Sequence, residues 1–392
     1  MGSKKVKAIV FYGQKKREFA QADRIEQFAK ETLERGKDNP AVQNYKRLGT
    51  PMLVAISNGV GAFPSKYWHL GTFEGWEKIS AEALLERCQV KPIACFRCFI
   101  ACGNLSEIRE GRHKGLKIEG PEYETIYAFG GLCMVHEIEE IAYLNDICDR
   151  LGIDTISGGS LCAFAIEASE TGRIKEKIGW GEVDKIAELL HDISSRKGIG
   201  AILAEGIRFA AKEWTMEDVA IHSKGLDPAG YDPRVLKGMG LANATSDRGA
   251  CHLRATFYKA ELAGMIPMDQ MEGKAKLFLE FEDRFNIHDA LILCRFYRDL
   301  YWDWNYLSAI VEITTGLKLD EAGLRRISST IQNQTRRFNL REGLNPNDDT
   351  LPKRFFDEPL GKDKKTIRRE DLQRMLQDYY ALRGWSQEGI PR

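Results

Sequence analysis

The stretch His136-Glu137-Ile138-Glu139-Glu140-Ile141-Ala142-Tyr143-Leu144-Asn145-Asp146-Ile147-Cys148-Asp149-Arg150-Leu151 sets the fold class. Ile138, Ile141, Ala142, Leu144 and Ile147 recur at mixed spacings of three and four, which puts them on one face of a helix. The same pattern extends outward in both directions. Toward the N-terminus it runs through Ile25, Phe28 and Leu33, and again from Ile79 to Cys88. Toward the C-terminus it predicts helices over Ser160–Thr171, Val183–Lys197, Ile199–Lys212, Gly273–Phe285, Asp320–Asn339 and Arg369–Arg383. Asp184 and Asp320 stand near first turns, where an acidic side chain favours helix initiation. Against this background Lys7-Ala8-Ile9-Val10-Phe11-Tyr12-Gly13 reads as a short strand ended by glycine. It is almost alone, although a strand needs a sheet to pair with. Glu342–Lys365, rich in Asn, Asp, Pro, Gly and Lys, reads as an exposed loop before a last helix. The chain is therefore mainly α, without internal repeats or low-complexity tracts, and a boundary falls near residues 213–220.

A length of 392 residues suits two or three domains. Lys plus Arg and Asp plus Glu both number 57, so the formal net charge is zero. That balance argues against a general nucleic-acid binder and against adsorption to an anionic membrane. With 43% hydrophobic and 29% charged residues the composition is that of a folded protein rather than a disordered one. No apolar run approaches the roughly 20 residues of a membrane span. Met1-Gly2-Ser3-Lys4-Lys5-Val6-Lys7 lacks the apolar core of a signal peptide. The expected location is the cytoplasm, where nine cysteines do not form a disulfide framework and any that cluster point to metal.

They do cluster. In Cys95-Phe96-Arg97-Cys98-Phe99-Ile100-Ala101-Cys102-Gly103 three thiols fall in a C-x2-C-x3-C spacing. Three such sulfurs and one distant cysteine can hold a [4Fe–4S] cube, each iron taking one thiolate. Phe96, Phe99 and Ile100 would keep water from it. Zinc more often draws two C-x2-C pairs or histidines, and no second pair is present. A radical-generating cluster would show the reverse spacing on a β/α barrel. Buried cysteines without metal are the remaining alternative. The fourth ligand must come from Cys88, Cys133, Cys148, Cys162, Cys251 or Cys294. Cys133, Cys148 and Cys162 lie in apolar helical patterns and read as core. Spacing does not choose between Cys251 and Cys294. On a regular helix Asp289 and Cys294 would point about 140° apart, one segment offering a carboxylate and a thiolate to two sites.

These motifs resemble those of the aldehyde ferredoxin oxidoreductase family, tungsten- or molybdenum-pterin enzymes of anaerobes. The likeness runs in order through Met1–Lys4 and Ala8-Ile9-Val10, the cysteine triplet, Gly120-Pro121-Glu122-Tyr123-Glu124-Thr125 and Leu151-Gly152-Ile153-Asp154-Thr155-Ile156-Ser157-Gly158-Gly159. It continues through Tyr231-Asp232-Pro233-Arg234, Ala244-Thr245-Ser246-Asp247-Arg248-Gly249-Ala250-Cys251-His252-Leu253-Arg254 and Asp289–Cys294. In that family the opening motif resembles the end of an N-terminal β-rich domain that forms the base for two pterins. The resemblance thus implies a mainly α chain of two helical domains with that first domain missing. Residues 1–13 are then a strand remnant, 14–217 the helical domain with the three-cysteine motif, and 218–392 the helical domain with the fourth cysteine.

Carried over residue by residue, the resemblance implies that Cys95, Cys98, Cys102 and Cys294 hold one [4Fe–4S] cluster. Asp154 and Asp289 would contact a tungsten (or molybdenum) bis-pterin, whose aminopyrimidinone edge offers N–H donors to a carboxylate. Arg254 would approach the pterin or its phosphates. Glu122, Glu124 and His252 are the acid/base candidates. Plainer readings stand beside these. Glu122 and Glu124 on an extended segment would share a face, where solvent explains one of them. Asp154 would cap a helix, and His252 would be a satisfied core histidine. His136 and His288 read as structural or exposed, with no role assigned. Two positions depart from the family: Ile292 stands where the second pterin motif has Gly, and Phe99 where Pro is common.

The activity implied is oxidation of an aldehyde to a carboxylic acid, with electrons passing through the cluster to ferredoxin or another iron–sulfur carrier. An N-terminal pterin-domain partner would complete the site, and a homodimer is implied by analogy. The alternative is an electron-transfer or scaffold subunit that binds the cluster but has lost tungstopterin chemistry.

Overall fold

The computed structural model describes residues 5–15 and 18–392 and is mainly helical. Ile138–Leu151 forms the helix its periodicity predicts, and its apolar stripe is buried throughout. Gly152 ends it in the left-handed conformation (φ 70°), its N–H returning to the carbonyls of Asp149 and Cys148. The next helix, Thr155–Glu170, is buried on every side from Gly158 to Ser169, which marks it as a central element. It packs against a π-helical stretch, Ile126–Leu132. A Cβ at Gly159 would lie 2.6 Å from the Ala128 Cβ and 2.8 Å from its backbone, so only glycine permits this approach. The main apolar core is continuous from Val54 to Trp385.

Three differences from the sequence reading have physical causes. The helix expected over 199–212 is two, Gly198–Leu203 and Ile207–Glu213, because Gly206 between them turns to φ 91°. The stretch read as an exposed loop, Glu342–Lys365, contains the short helix Lys353–Asp357, with Arg354 and Phe355 buried. Lys7–Gly13 carries no regular secondary structure and exposes Val10, Phe11 and Tyr12, since no strand lies beside it among the described residues. Met1-Gly2-Ser3-Lys4 lie outside the described residues.

The sheet found among the described residues lies elsewhere. β1 (Cys88–Ile93), β2 (Gly103–Ile108) and β3 (Lys117–Glu119) form an antiparallel meander in the order β1-β2-β3. β1 pairs from Cys88↔Ile108 to Ile93↔Gly103, so residues 94–102 are the loop that closes this hairpin. Pro92 is tolerated because β1 is an edge strand. The sheet thus fixes both ends of the three-cysteine loop. No helix among the described residues is long and apolar enough to cross a membrane.

Candidate functional site

Within the loop, Arg97 (φ 57°) and Ala101 (φ 50°) adopt left-handed conformations, and the Cys98 amide donates to the Cys95 carbonyl at 2.9 Å. These turns aim Cys95, Cys98 and Cys102 into a cleft of about 530 Å³ that Cys294 also lines. All four thiols are free, and each is at least partly exposed. Cys251 is buried and does not line the cleft. Cys133, Cys148 and Cys162 are core residues, as expected, and burial pushes all three thiols up. Cys102 is pushed up to about 12, by burial first and then by the neighbouring Cys294, Glu122 and Cys98. Four thiols round one cleft are the donor set a four-iron cube takes, one sulfur to each iron. No group of three His, Cys, Asp or Glu side chains among the described residues is gathered tightly enough for a single metal ion.

Cys294 reaches the cleft by a turn rather than along a helix. The helix Lys274–Ala290 ends before it, so the 140° relation to Asp289 does not apply. Leu293 N–H donates to His288 O at 2.8 Å and Ile292 N–H to Asp289 O at 3.1 Å. These bonds form a Schellman motif with Ile292 at the left-handed position (φ 57°). That backbone calls for glycine, and a β-branched residue there is strained by roughly 1–2 kcal/mol. The Ile292 side chain is 92% exposed and loses no burial on removal. Ile292→Gly is therefore expected to raise stability by about 1 kcal/mol, some of the relief being offset by the flexibility of glycine in the unfolded chain. An unmoved or lower denaturation midpoint, at constant slope, would contradict this.

Asp289 is held by two guanidinium groups, Arg254 Nη1 at 3.1 Å and Arg295 Nη2 at 2.8–2.9 Å. Arg254 also binds Asp247 through Nε at 2.9 Å. Arg295 was not among the sequence candidates, although it directly follows Cys294. Asp154 is the N-cap of Thr155–Glu170, accepting from the Ser157 amide at 2.9 Å through Oδ1. The capping reading of Asp154 thus holds, and its carboxylate remains exposed and within electrostatic reach of Glu124.

Glu122 and Glu124 do not share a face. Glu122 stands just before the turn Tyr123–Thr125, without a capping hydrogen bond, and Glu124 lies inside it, so the helical twist sends them to different places. Glu122 bonds the Thr50 hydroxyl and lines the cysteine cleft. Glu124 is turned toward His252. Its Oε2 accepts from the Gly230 amide at 2.9 Å, while Oε1 has no hydrogen-bond partner and stands 3.6 Å from His252 Nε2. Burial pushes Glu124 up to about 7, against the Gly230 amide and the Tyr231 hydroxyl. Burial, helped by Arg248, Arg295 and Arg298, pushes His252 down to about 4. At neutral pH the imidazole is unprotonated and Glu124 stands between its two forms, a separation that suits acid/base work. Tyr231 stacks on Tyr258 at 3.9 Å and flanks this pair. The motif Tyr231-Asp232-Pro233-Arg234 contained Tyr231, but only the fold brings it to Glu124. Arg254 and Arg295 are paired with an equal number of carboxylates, Asp247 and Asp289, whereas the orphan Glu124 oxygen is an open acceptor and fits a group that offers N–H or O–H donors.

Residues 27–392 match the family described as aldehyde ferredoxin oxidoreductase, domains 2 and 3. The chain is 33% identical over 415 residues to the tungsten-containing aldehyde ferredoxin oxidoreductase of Pyrococcus furiosus, covering 100% of this chain and 66% of that protein. The protein of the same name from Thermococcus kodakarensis gives 33% over 417 residues with the same coverage. An aliphatic sulfonate oxidoreductase, WOR-like subunit, of Pyrococcus furiosus is 30% identical over 335 residues, or 81% of this chain and 51% of that one. The chain thus spans just under two thirds of the length of the first two relatives. Among solved structures, the active site complex BamBC of benzoyl coenzyme A reductase with 1,5-dienoyl-CoA superposes with a TM-score of 0.73. That match covers 97% of this chain and 65% of the other, and at 18% identity it speaks for the fold alone.

Proposed function

The chain belongs to the aldehyde ferredoxin oxidoreductase family, and from that premise we propose that it is the cluster-bearing part of an enzyme oxidising an aldehyde to a carboxylic acid. Cys95, Cys98, Cys102 and Cys294 would hold a [4Fe–4S] cluster that passes electrons to ferredoxin or a similar carrier. The observation that carries this reading is the convergence of those four free thiols on one cleft. Asp154, Asp289, Arg254 and Arg295 would face a tungsten- or molybdenum-pterin, which when bound supplies the two-electron oxidant. The rest of the pterin site would come from sequence outside these residues, in the same polypeptide or in another.

This chain's share of the chemistry is to orient the substrate and move protons. Glu124 in its carboxylate form takes a proton from the water that adds to the aldehyde carbonyl. The unprotonated His252 accepts a hydrogen bond from that water or from the resulting hydrate. The buried Tyr231 and Tyr258 rings exclude bulk water around both. A cluster-binding electron-transfer subunit without pterin chemistry is the second reading, favoured by the bulky Ile292 side chain beside the Asp289 site.

Iron, acid-labile sulfide and tungsten in protein purified without oxygen separate these readings. About four irons and four sulfides are expected per chain, falling sharply in Cys98→Ser and Cys294→Ser. Iron with no tungsten or molybdenum, even when the full-length protein or its completing partner is present, would favour the second reading. Absence of iron would overturn both.

A further inference from the structure

The wall of the cysteine cleft contains a polar group that the proposed reaction does not use. Tyr297 follows Cys294 on the turn Arg295–Tyr297 and lines the same cleft. Its hydroxyl lies 3.6 Å from the Sγ of Cys98, across 199 positions of sequence, a distance at which O–H donates to sulfur. The ring cannot easily swing away. Phe99 meets it edge-on at 5.5 Å and 83°, and Tyr301 stacks on its other side at 5.7 Å and 14°. A phenol carries its proton at neutral pH, so the oxygen has one to donate. Phe99, where the family commonly has Pro, is thereby part of the clamp.

We propose that Tyr297 is a positioning residue for the redox centre: its O–H hydrogen bond to Cys98 Sγ stabilises the reduced cluster and sets the reduction potential higher than the thiolates alone would. The inference rests on the cluster-binding reading above. The physical argument is electrostatic. Each electron added to the cluster increases negative charge on its sulfur ligands, and a hydrogen bond to a charged acceptor is stronger than one to a neutral acceptor. A donor aimed at a ligand sulfur therefore favours the reduced form. The couple takes one electron from the reductant into the cluster. Tyr297 neither gains nor loses an electron or a proton.

The test uses the chain as purified, loaded anaerobically, with the cluster potential followed by EPR during a dithionite titration. Tyr297→Phe removes only the hydroxyl and keeps the ring contacts. It is expected to load the same iron and sulfide as the parent and to lower the reduced-to-oxidised ratio at the parent's midpoint about fivefold. At 59 mV per tenfold for one electron this is a negative shift of about 40 mV. Tyr301→Phe is the control, since the Tyr301 hydroxyl bonds Thr32 at 3.2 Å and not a cysteine. Its midpoint is expected to stay with the parent. A loaded Tyr297→Phe chain with an unmoved midpoint, or an equal shift in Tyr301→Phe, would overturn this inference alone. A parent chain that takes up no iron would overturn it together with the reading on which it rests.

Discussion

Glu124→Gln is expected to lower aldehyde oxidation by about 10²–10⁴-fold, the usual contribution of a positioned proton acceptor, while making the fold more stable at neutral pH. Both effects come from the same burial. Glu124 rises from the ordinary 4.5 to about 7 because burial takes its carboxylate out of water, an effect that the Gly230 amide and the Tyr231 hydroxyl only partly offset. A base in that position works in its ionised form, so the parent rate should climb as pH rises through about 7. Gln cannot ionise, and the variant should lose that limb of the profile. For stability the direction is opposite. A carboxyl group whose folded pKa is raised contributes stability that is fully present below the unfolded value, near 4.5, and is lost as pH rises through about 7. At 1.36 kcal/mol per unit, the loss above pH 7 is on the order of 3 kcal/mol. Gln avoids this ionisation penalty but leaves an amide to be satisfied, so its gain should be smaller. Denaturation midpoints at pH 5 and pH 8 measure it, with the variant's advantage appearing only at the higher pH. A variant that keeps both the rate and the pH limb would remove Glu124 from the chemistry.

Much of this arrangement was legible from local pattern, and the failures share one cause. The apolar stripe of Ile138–Leu151 and the C-x2-C-x3-C triplet are short-range signals, and neither depends on the rest of the fold. Choosing between Cys251 and Cys294 required tertiary structure, because it depends on where the turn after Ala290 points. Only the family resemblance selected Cys294 beforehand. An extended segment would put Glu122 and Glu124 on one face, and a single helical turn is enough to part them. β1 is hard to read from sequence because its burial alternates weakly and Pro92 interrupts it; β2 buries every second residue, but it is only six residues long and its apolar side chains are few. Conversely, Ala8-Ile9-Val10-Phe11 has strand composition and no strand partner among the described residues. Propensity describes what a segment can do, and pairing decides whether it does.

The segment after Glu342 shows the limit most sharply, and it carries the largest expected stability effect. Its composition is that of a solvated loop, yet Arg354 within it is 1% exposed. Arg354 donates from Nη1 to the Tyr67 carbonyl at 2.6 Å, and binds Glu167 through Nη1 at 3.1 Å and Nη2 at 2.6 Å. Arg234, also buried, donates to the next carbonyl, that of Trp68, while paired with Asp232. These two carbonyls belong to a run of left-handed residues, Lys66, Tyr67 and Trp68 (φ 45°, 45° and 69°). Each such residue costs roughly 1–2 kcal/mol, and their carbonyls lie outside any helix or sheet ladder. The guanidinium groups satisfy them and help to hold the turn that buries Tyr67 and Trp68. Arg354→Met should therefore cost about 3–5 kcal/mol, because it strands the Glu167 carboxylate in the core. Burial alone would raise Glu167, but hydrogen bonds from His69 and Arg354 outweigh it and hold the group below its ordinary value. The parent thus gains stability from Glu167 above about pH 4.5, and loses it as pH falls through the folded value. In Arg354→Met much of that support is gone, so the variant should be most impaired at neutral pH and should approach the parent in acid. Adding Glu167→Gln should recover part of the loss, since the uncompensated charge goes with it. A double variant as unstable as the sum of the two singles would place the cost in the freed Tyr67 carbonyl and the left-handed turn instead of the ion pair.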